Sequence, residues 1–136
     1  MAKATYYKVV SHDYSRMISA IITGECQLSY HVGEWTKRKY WGPMVFKSLS
    51  DAHVFKRGNP GNGYLEVWEC EARRVRKVTS YIPYADVFSN STKSKKKRFL
   101  AEIKNPYSVG RDSSEWHCAP NGTYIAEQIK LTRFVE

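Results

Sequence analysis

Basic and aromatic side chains are the residues of this sequence whose types and spacing could do chemistry. The formal net charge is +9, above the magnitude of about 2 to 8 that suits the solubility of a small domain. Ten basic against three acidic residues between Glu71 and Lys104 place +7 of it in one segment. Such focused charge attracts polyanions and makes their binding sensitive to salt. The sequence therefore predicts an anionic partner: a nucleotide, a nucleic acid or a nucleoprotein.

The candidate ligand-binding residues form two basic clusters with aromatic residues among them. One cluster precedes Gly42 and Pro43, and the other follows Glu71. Aromatic rings placed between cations can stack on bases. An equally weighted interpretation of the basic residues is a solvated loop followed by a charged strand edge that deters aggregation. The candidates are Lys37, Arg38, Tyr40, Trp41, Arg73, Arg74, Arg76, Lys77, Tyr81, Tyr84, Lys93, Lys95, Lys96, Lys97 and Arg98.

Histidine and cysteine do not fall into a recognisable metal-binding or catalytic motif. Only His117 and Cys118 are adjacent, and neighbours on a strand point to opposite faces. The sequence has no Cys-x-x-Cys pair and no Gly-x-Ser-x-Gly turn, the patterns typical of a zinc site and of a serine nucleophile. We therefore expect no metal and no cofactor, and reduced thiols at Cys26, Cys70 and Cys118.

The elements that must position the basic residues are short strands and a short helix. Ser48 and Asp51 have the spacing of a capping box, and Gly58 stands where a terminating glycine would end the helix. A Pro-Asn-Gly turn is expected at 120–122. Alternating apolar residues predict strands over 6–10, 28–35, 44–47, 64–71 and 124–135, with 75–78 extending or pairing with the fourth.

These elements predict a single α+β domain over residues 1–136. We expect a curved, mostly antiparallel sheet of five to seven strands with one or two short helices, or a partly closed barrel. Residues 89–98 are expected to form an exposed basic loop because like charges repel. No apolar run approaches the roughly 20 residues of a membrane helix, and no signal peptide is recognisable. The expectation is a cytoplasmic protein without a membrane partner, in the host cytoplasm if it is viral.

One part of the sequence resembles an enzyme fold. Residues 45–52 and the strand at 64–71 look like the strand, serine turn and short helix of ADP-ribosyltransferase-like domains. The resemblance implies an NAD-using enzyme, with Ser48 in the serine turn and Glu127 as the catalytic glutamate of a late strand. The family holds the dinucleotide with Arg or His on its first strand, whereas His12 lies beyond the end of the first strand as predicted here, over 6–10.

The style of the whole chain is similar to that of small accessory proteins of bacteriophages. The shared features include Glu66-Val67-Trp68-Glu69-Cys70-Glu71 and the turn before the last strand. The resemblance implies a counter-defence role, such as anti-CRISPR activity or signal sequestration. The leading hypothesis is a non-enzymatic binding protein for an anionic partner. The alternatives are the NAD-using enzyme and an inhibitor that covers an acidic surface of a host protein.

Overall fold

The computed structural model describes residues 4–13, 16–20, 22–24, 28–38, 42–58, 64–78, 81–83, 85–87 and 116–136. Of residues 22–24, 81–83, 85–87 and 116–118 it describes the strands without their side chains. The elements within these ranges are β1 (Tyr6–Asp13), β2 (Arg16–Ser19), β3 (Ile22–Gly24), β4 (Ser29–Tyr30), β5 (Trp35–Lys37), β6 (Met44–Phe46), α1 (Leu49–Gly58), β7 (Tyr64–Arg73), β8 (Arg76–Lys77), β9 (Tyr81–Pro83), β10 (Ala85–Val87), β11 (Trp116–Cys118), β12 (Thr123–Ile125) and β13 (Gln128–Phe134).

Nine of the described strands form one sheet in the order β5-β13-β7-β1-β6-β12-β8, with β2 beside β1 and β4 beside β2. Every pair in this sheet is antiparallel. Two further pairs are β3 with β10, which is parallel, and β9 with β11. The predicted α+β class is confirmed. The sheet has more strands than the five to seven expected, and it stays open between β5 and β8 instead of closing into a barrel.

The long central strands β1 and β7 place apolar side chains on both faces of the sheet. Their antiparallel register runs from Tyr6 opposite Cys70 to His12 opposite Tyr64. Successive side chains point to opposite faces, so Val9 and Val67 join a core beneath α1 while Cys70 joins a second core on the other face. The predicted alternation along β7 is confirmed.

Helix α1 starts and packs as its sequence predicts. The Ser48 hydroxyl accepts a hydrogen bond from the Asp51 amide at 3.3 Å, which satisfies one of the free donors of the first turn. Ala52 is fully buried against the sheet, and the Phe55 ring lies 5.5 Å from that of Phe46. Gly58 is the last helical residue and does not have a left-handed backbone. The helix therefore ends without the glycine cap that was expected.

Two of the predicted strands are wrong because a turn or a link divides each of them. The strand predicted over 28–35 separates into β4 and β5 at a turn in which Gly33 has a φ of +82°. The strand predicted over 124–135 separates into β12, which pairs with β6, and β13, which pairs with β7. The expected strand at 75–78 is the two-residue β8, which pairs with β12 and not with β7. In each case the chain changes its pairing partner in the sheet, although the alternation of apolar residues predicts one strand.

Candidate functional site

A cleft of about 250 Å³ gathers three arginines from two chain segments. Arg38 follows β5, Arg74 follows β7 and Arg76 begins β8. The cleft is lined by Arg38, Arg74, Arg76, Ile125, Ala126 and Glu127. The sequence separates Arg38 from the other two by more than thirty residues, and the order of strands brings them together.

The link between β12 and β13 anchors all three arginines through its backbone or its side chain. The Arg38 amide donates to the Glu127 carbonyl at 2.8 Å, and Arg76 lies opposite Ile125 in the sheet. The Glu127 amide donates to the Arg73 carbonyl at 2.9 Å, which fixes the chain just before Arg74. We call residues 125–127 the anchor link. Since backbone bonds hold it on both sides, the backbone that carries the arginines is placed before any ligand arrives.

Gly42 and Pro43 support the anchor link from behind. The Pro43 carbonyl accepts a hydrogen bond from the Ala126 amide at 3.0 Å. A Cβ atom on Gly42 would lie 2.2 Å from the Ala126 carbonyl oxygen and 2.7 Å from Cγ1 of Ile125. Cβ atoms do not approach non-bonded atoms this closely in proteins, so only glycine lets the anchor link lie so near. The sequence shows the Gly-Pro pair as a turn signal, but it does not show what packs against it.

Arg74 has a backbone conformation that arginine rarely adopts. Its φ of +53° makes it the only non-glycine residue with a positive φ among the described residues, and this left-handed region costs an L residue about 1–2 kcal/mol. The side chain is 84% exposed, and its Nη1 lies 3.3 Å from Oε2 of Glu127. Such an exposed ion pair stabilises little. Strain of this kind is concentrated at functional sites, which makes Arg74 a candidate ligand contact.

Further basic residues surround the cleft without lining it. Lys37 and Arg73 both lie opposite Gln128 in the sheet, on either side of β13. The Arg73 guanidinium stacks on the Trp35 ring at 3.7 Å from its centroid, so this cation is held in place by a cation–π contact. Lys77, which is exposed, lies opposite Tyr124. These cations raise the positive potential at the mouth of the cleft.

Farther along β7 and β13, basic side chains are paired with acids. Lys130 Nζ lies 3.0 Å from Oε2 of Glu71. Arg133 Nε donates to Glu69 at 3.0 Å, and this hydrogen bond lowers the pKa of the Glu69 carboxyl. The cleft lining has three arginines and one acid, Glu127, which pairs with Arg74. The lining of the cleft therefore has an excess of positive charge, whereas these basic residues of β13 are balanced by acids of β7.

The structure brings one part of the predicted binding residues together. Arg38, Arg74 and Arg76 line the cleft, with Lys37, Arg73 and Lys77 on the strands around it. The side chain of Tyr81 is not described. Outside the described residues lie Tyr40, Trp41, Tyr84, the predicted basic loop 89–98 and, within it, Lys93, Lys95, Lys96, Lys97 and Arg98.

The two residues singled out by the resemblance to ADP-ribosyltransferases have different surroundings. Ser48 caps α1 through its hydroxyl. Glu127 lies in the link between β12 and β13 and not on a strand, with its carboxylate beside Arg74. No contact among the described residues joins Ser48 to Glu127. The resemblance implied a catalytic role for Glu127 and the basic clusters predicted binding by the arginines, whereas the fold places Glu127 and three of the arginines in one cleft.

A second group of ionisable side chains lies in the core and was not predicted. Lys8 is 4% exposed, and its Nζ lies 5.5 Å from the centroid of the Tyr30 ring. Burial lowers the pKa of Lys8 to about 8, although the nearby Cys70 offsets part of the shift. Burial likewise raises the pKa of the Cys70 thiol to about 12. The alternation of residue types along β1 does not indicate that Lys8 is buried, because its burial depends on contacts with β4 and β7 together.

Comparisons with known proteins found no match that assigns a role to the site. The chain matches no protein-family model, no curated protein and no solved structure. The phage-like style and the resemblance to ADP-ribosyltransferases therefore stay predictions. No helix in the described part of the chain is long and apolar enough to cross a membrane. Among the same residues, no group of three or more metal-ligating side chains is present.

Proposed function

We propose that this protein is a binding protein that captures a compact phosphorylated ligand in the cleft beside the anchor link. One observation carries the proposal: three arginines from two chain segments distant in sequence line one small cleft, and backbone contacts hold both segments. Guanidinium is the side-chain group best suited to phosphate, because its planar fork donates two parallel hydrogen bonds and keeps its charge.

The size of the cleft favours a compact group over a long polymer. Its volume of about 250 Å³ lies below the range of about 300 to 1,000 Å³ that encloses a drug-sized ligand. A phosphoryl group fits this space while the rest of the ligand extends over the surface that carries Lys37 and Lys77. Because the ligand contacts only a few basic side chains at once, its affinity should depend less on salt concentration than the affinity of a nucleic acid that is bound along its length.

The chemistry of the lining favours capture over turnover. The described lining supplies three permanent cations, one carboxylate and an apolar wall of Ile125 and Ala126. Covalent or acid–base catalysis requires a nucleophile or base aligned with a second group that orients it. The carboxylate of Glu127 is instead engaged by Arg74, a cation that can equally well contact a phosphate.

Direct titration tests the proposal. Inorganic phosphate, adenosine monophosphate and adenosine triphosphate are titrated by calorimetry into the protein and into Arg38→Ala and Arg76→Ala. Each variant should weaken nucleotide binding about tenfold, since a charge-assisted hydrogen bond contributes about 1.5–3 kcal/mol. Arg133→Ala is the matched control, because Arg133 pairs with Glu69 outside the cleft, and it should leave binding unchanged. Absence of binding at low salt, or an equal loss in Arg133→Ala, would reject the proposal.

A further inference from the structure

We infer that the cleft selects phosphate monoesters over phosphodiesters. The inference rests on the proposed function and adds the class of phosphate that the site recognises. Its basis is the number of guanidinium groups in the lining, their net charge with Glu127, and the position of the anchor link behind them.

The number of donor groups matches the free oxygens of a monoester. A terminal phosphate offers three acceptor oxygens, whereas a diester uses one of these in its second ester bond. Arg38 reaches the cleft from one chain segment, and Arg74 and Arg76 reach it from another, so each guanidinium can take a different oxygen. A diester would leave one of the three cations without an anionic acceptor.

The net charge of the lining matches a monoester as well. Three guanidinium groups and the carboxylate of Glu127 leave a formal charge of +2. A phosphate monoester carries about −1.5 to −2 near pH 7, with its second pKa near 6, while a diester carries −1. The Glu127 carboxylate lies beside Arg74 in the same lining, and the remaining charge of +2 attracts a dianion about twice as strongly as a monoanion.

The apolar wall of the cleft favours a phosphate at the end of a molecule. Ile125 and Ala126 form the apolar wall, and Gly42 packs directly behind them. Since Gly42 packs against this wall, neither ester arm of a diester can pass through it, and both arms must leave beside the arginines. A monoester needs one exit, so the rest of its molecule can leave the cleft without bending back.

Matched nucleotide pairs test the inference on the intact protein. Adenosine monophosphate should bind about tenfold more tightly than 3′,5′-cyclic adenosine monophosphate near pH 7.5, by the loss of a charge-assisted contact. Near pH 5.5 the monophosphate should bind several-fold more weakly because the ligand gains a proton, while the arginines stay charged. The cyclic ligand, which does not titrate in this range, should bind equally at both pH values.

Oligonucleotides distinguish the two sources of such a phosphate. If the natural ligand is the end of a strand, a 5′-phosphorylated oligonucleotide should bind more tightly than both the 5′-hydroxyl form and the free monophosphate. If it is a free nucleotide, the monophosphate should bind at least as tightly as the phosphorylated strand. An oligonucleotide that binds equally with a 5′-phosphate or a 5′-hydroxyl, and more tightly than the monophosphate, would overturn the inference.

Substitution of Glu127 tests the charge argument. Glu127→Gln raises the net charge of the lining to +3. Because a dianion gains about twice as much from the added charge as a monoanion, affinity for the monophosphate should rise more than affinity for the cyclic ligand and the preference should widen. Glu69→Gln removes an acid that faces Arg133 outside the cleft and should leave the preference unchanged.

The outcomes separate this inference from the proposed function. Equal binding of the monophosphate and the cyclic ligand that is still lost in Arg38→Ala would overturn the inference alone. A preference that is unchanged in Glu127→Gln would do the same. Failure of every ligand to bind at low salt, with the fold intact by circular dichroism, would overturn the proposed function together with the inference.

Discussion

The core around Lys8 and the cleft beside the anchor link both hold cations, but under opposite conditions. Lys8 is buried among Tyr30 and Cys70 on the inner face of the sheet, and its pKa falls to about 8. The arginines of the cleft lie at the surface, where water solvates them until a ligand arrives. Desolvation penalises a charged group strongly unless an opposite charge compensates it.

This difference separates two consequences of positive charge in one small protein. The buried cation lowers the stability of the fold without being available to a ligand. The exposed guanidinium groups have little effect on stability and are free to contact an anion. Substitution of Lys8 should therefore change the free energy of unfolding, and substitutions at the cleft should change ligand affinity. The following experiments test whether these two effects are separate.

The largest expected effect comes from Lys8→Met, which removes the buried charge and keeps a long apolar side chain. A pKa lowered from 10.5 to about 8 corresponds to about 3 kcal/mol at 1.36 kcal/mol per unit. The free energy of unfolding at pH 7, measured by urea denaturation, should rise by about that amount, while nucleotide affinity stays constant. Lys37→Met at an exposed strand position is the control, with a change within about 0.5 kcal/mol. A loss of stability in Lys8→Met would refute the expected penalty.

Gly42→Ala should connect the two measurements, because Gly42 supports the anchor link. A methyl group there has no space between Ala126 and Ile125, and overpacking of this kind costs about 2 kcal/mol. Stability and nucleotide affinity should both fall. Gly58→Ala is the matched control, since a Cβ at the end of α1 meets nothing within 4 Å, and it should reduce neither quantity. Full affinity in Gly42→Ala would show that the link does not place the arginines.

The pH dependence of stability should reveal the buried lysine without any ligand. Between about pH 8 and 9 folded Lys8 loses its proton while the unfolded lysine keeps it, so stability should rise by about 1 kcal/mol over that unit. Above pH 9 the unfolded Cys70 thiol ionises and the folded thiol, with a pKa of about 12, does not. That second effect opposes the rise, and burial also raises the pKa of the Tyr30 hydroxyl above its ordinary value of 10.0, so the curve should flatten and then fall above about pH 10. Lys8→Met should remove the rise, and a rise that persists in this variant would assign it to another group.

The smallest change in stability is expected from Arg74→Gly, where stability and binding should move in opposite directions. Glycine adopts a positive φ without strain, so unfolding should require up to about 1 kcal/mol more free energy. Loss of the guanidinium should weaken binding of adenosine monophosphate about tenfold. Arg74→Lys retains a charge and the strained backbone, so it should be no more stable than the original protein. Unchanged binding in Arg74→Gly would remove Arg74 from the site.

Local sequence patterns were sufficient for elements whose neighbours agree with their periodicity. The alternation of β7, the strand at β6 and the start of α1 at Ser48 were predicted correctly. The segments at 28–35 and 124–135 were predicted as continuous strands because their apolar spacing continues through Gly33 and the anchor link. A change of pairing partner leaves no regular mark in the spacing of apolar residues, so the breaks emerge only from the assembled sheet.

The sequence by itself determined the α+β class, the excess of positive charge and the arginines that carry part of it. These properties follow from composition and from patterns a few residues long. Only the tertiary structure decided that Arg38 meets Arg74 and Arg76, that Glu127 lies among them, and that Lys8 is buried. The physical reason is that each of these facts depends on contacts between strands distant in sequence, and their pairing is set by the packing of the whole sheet.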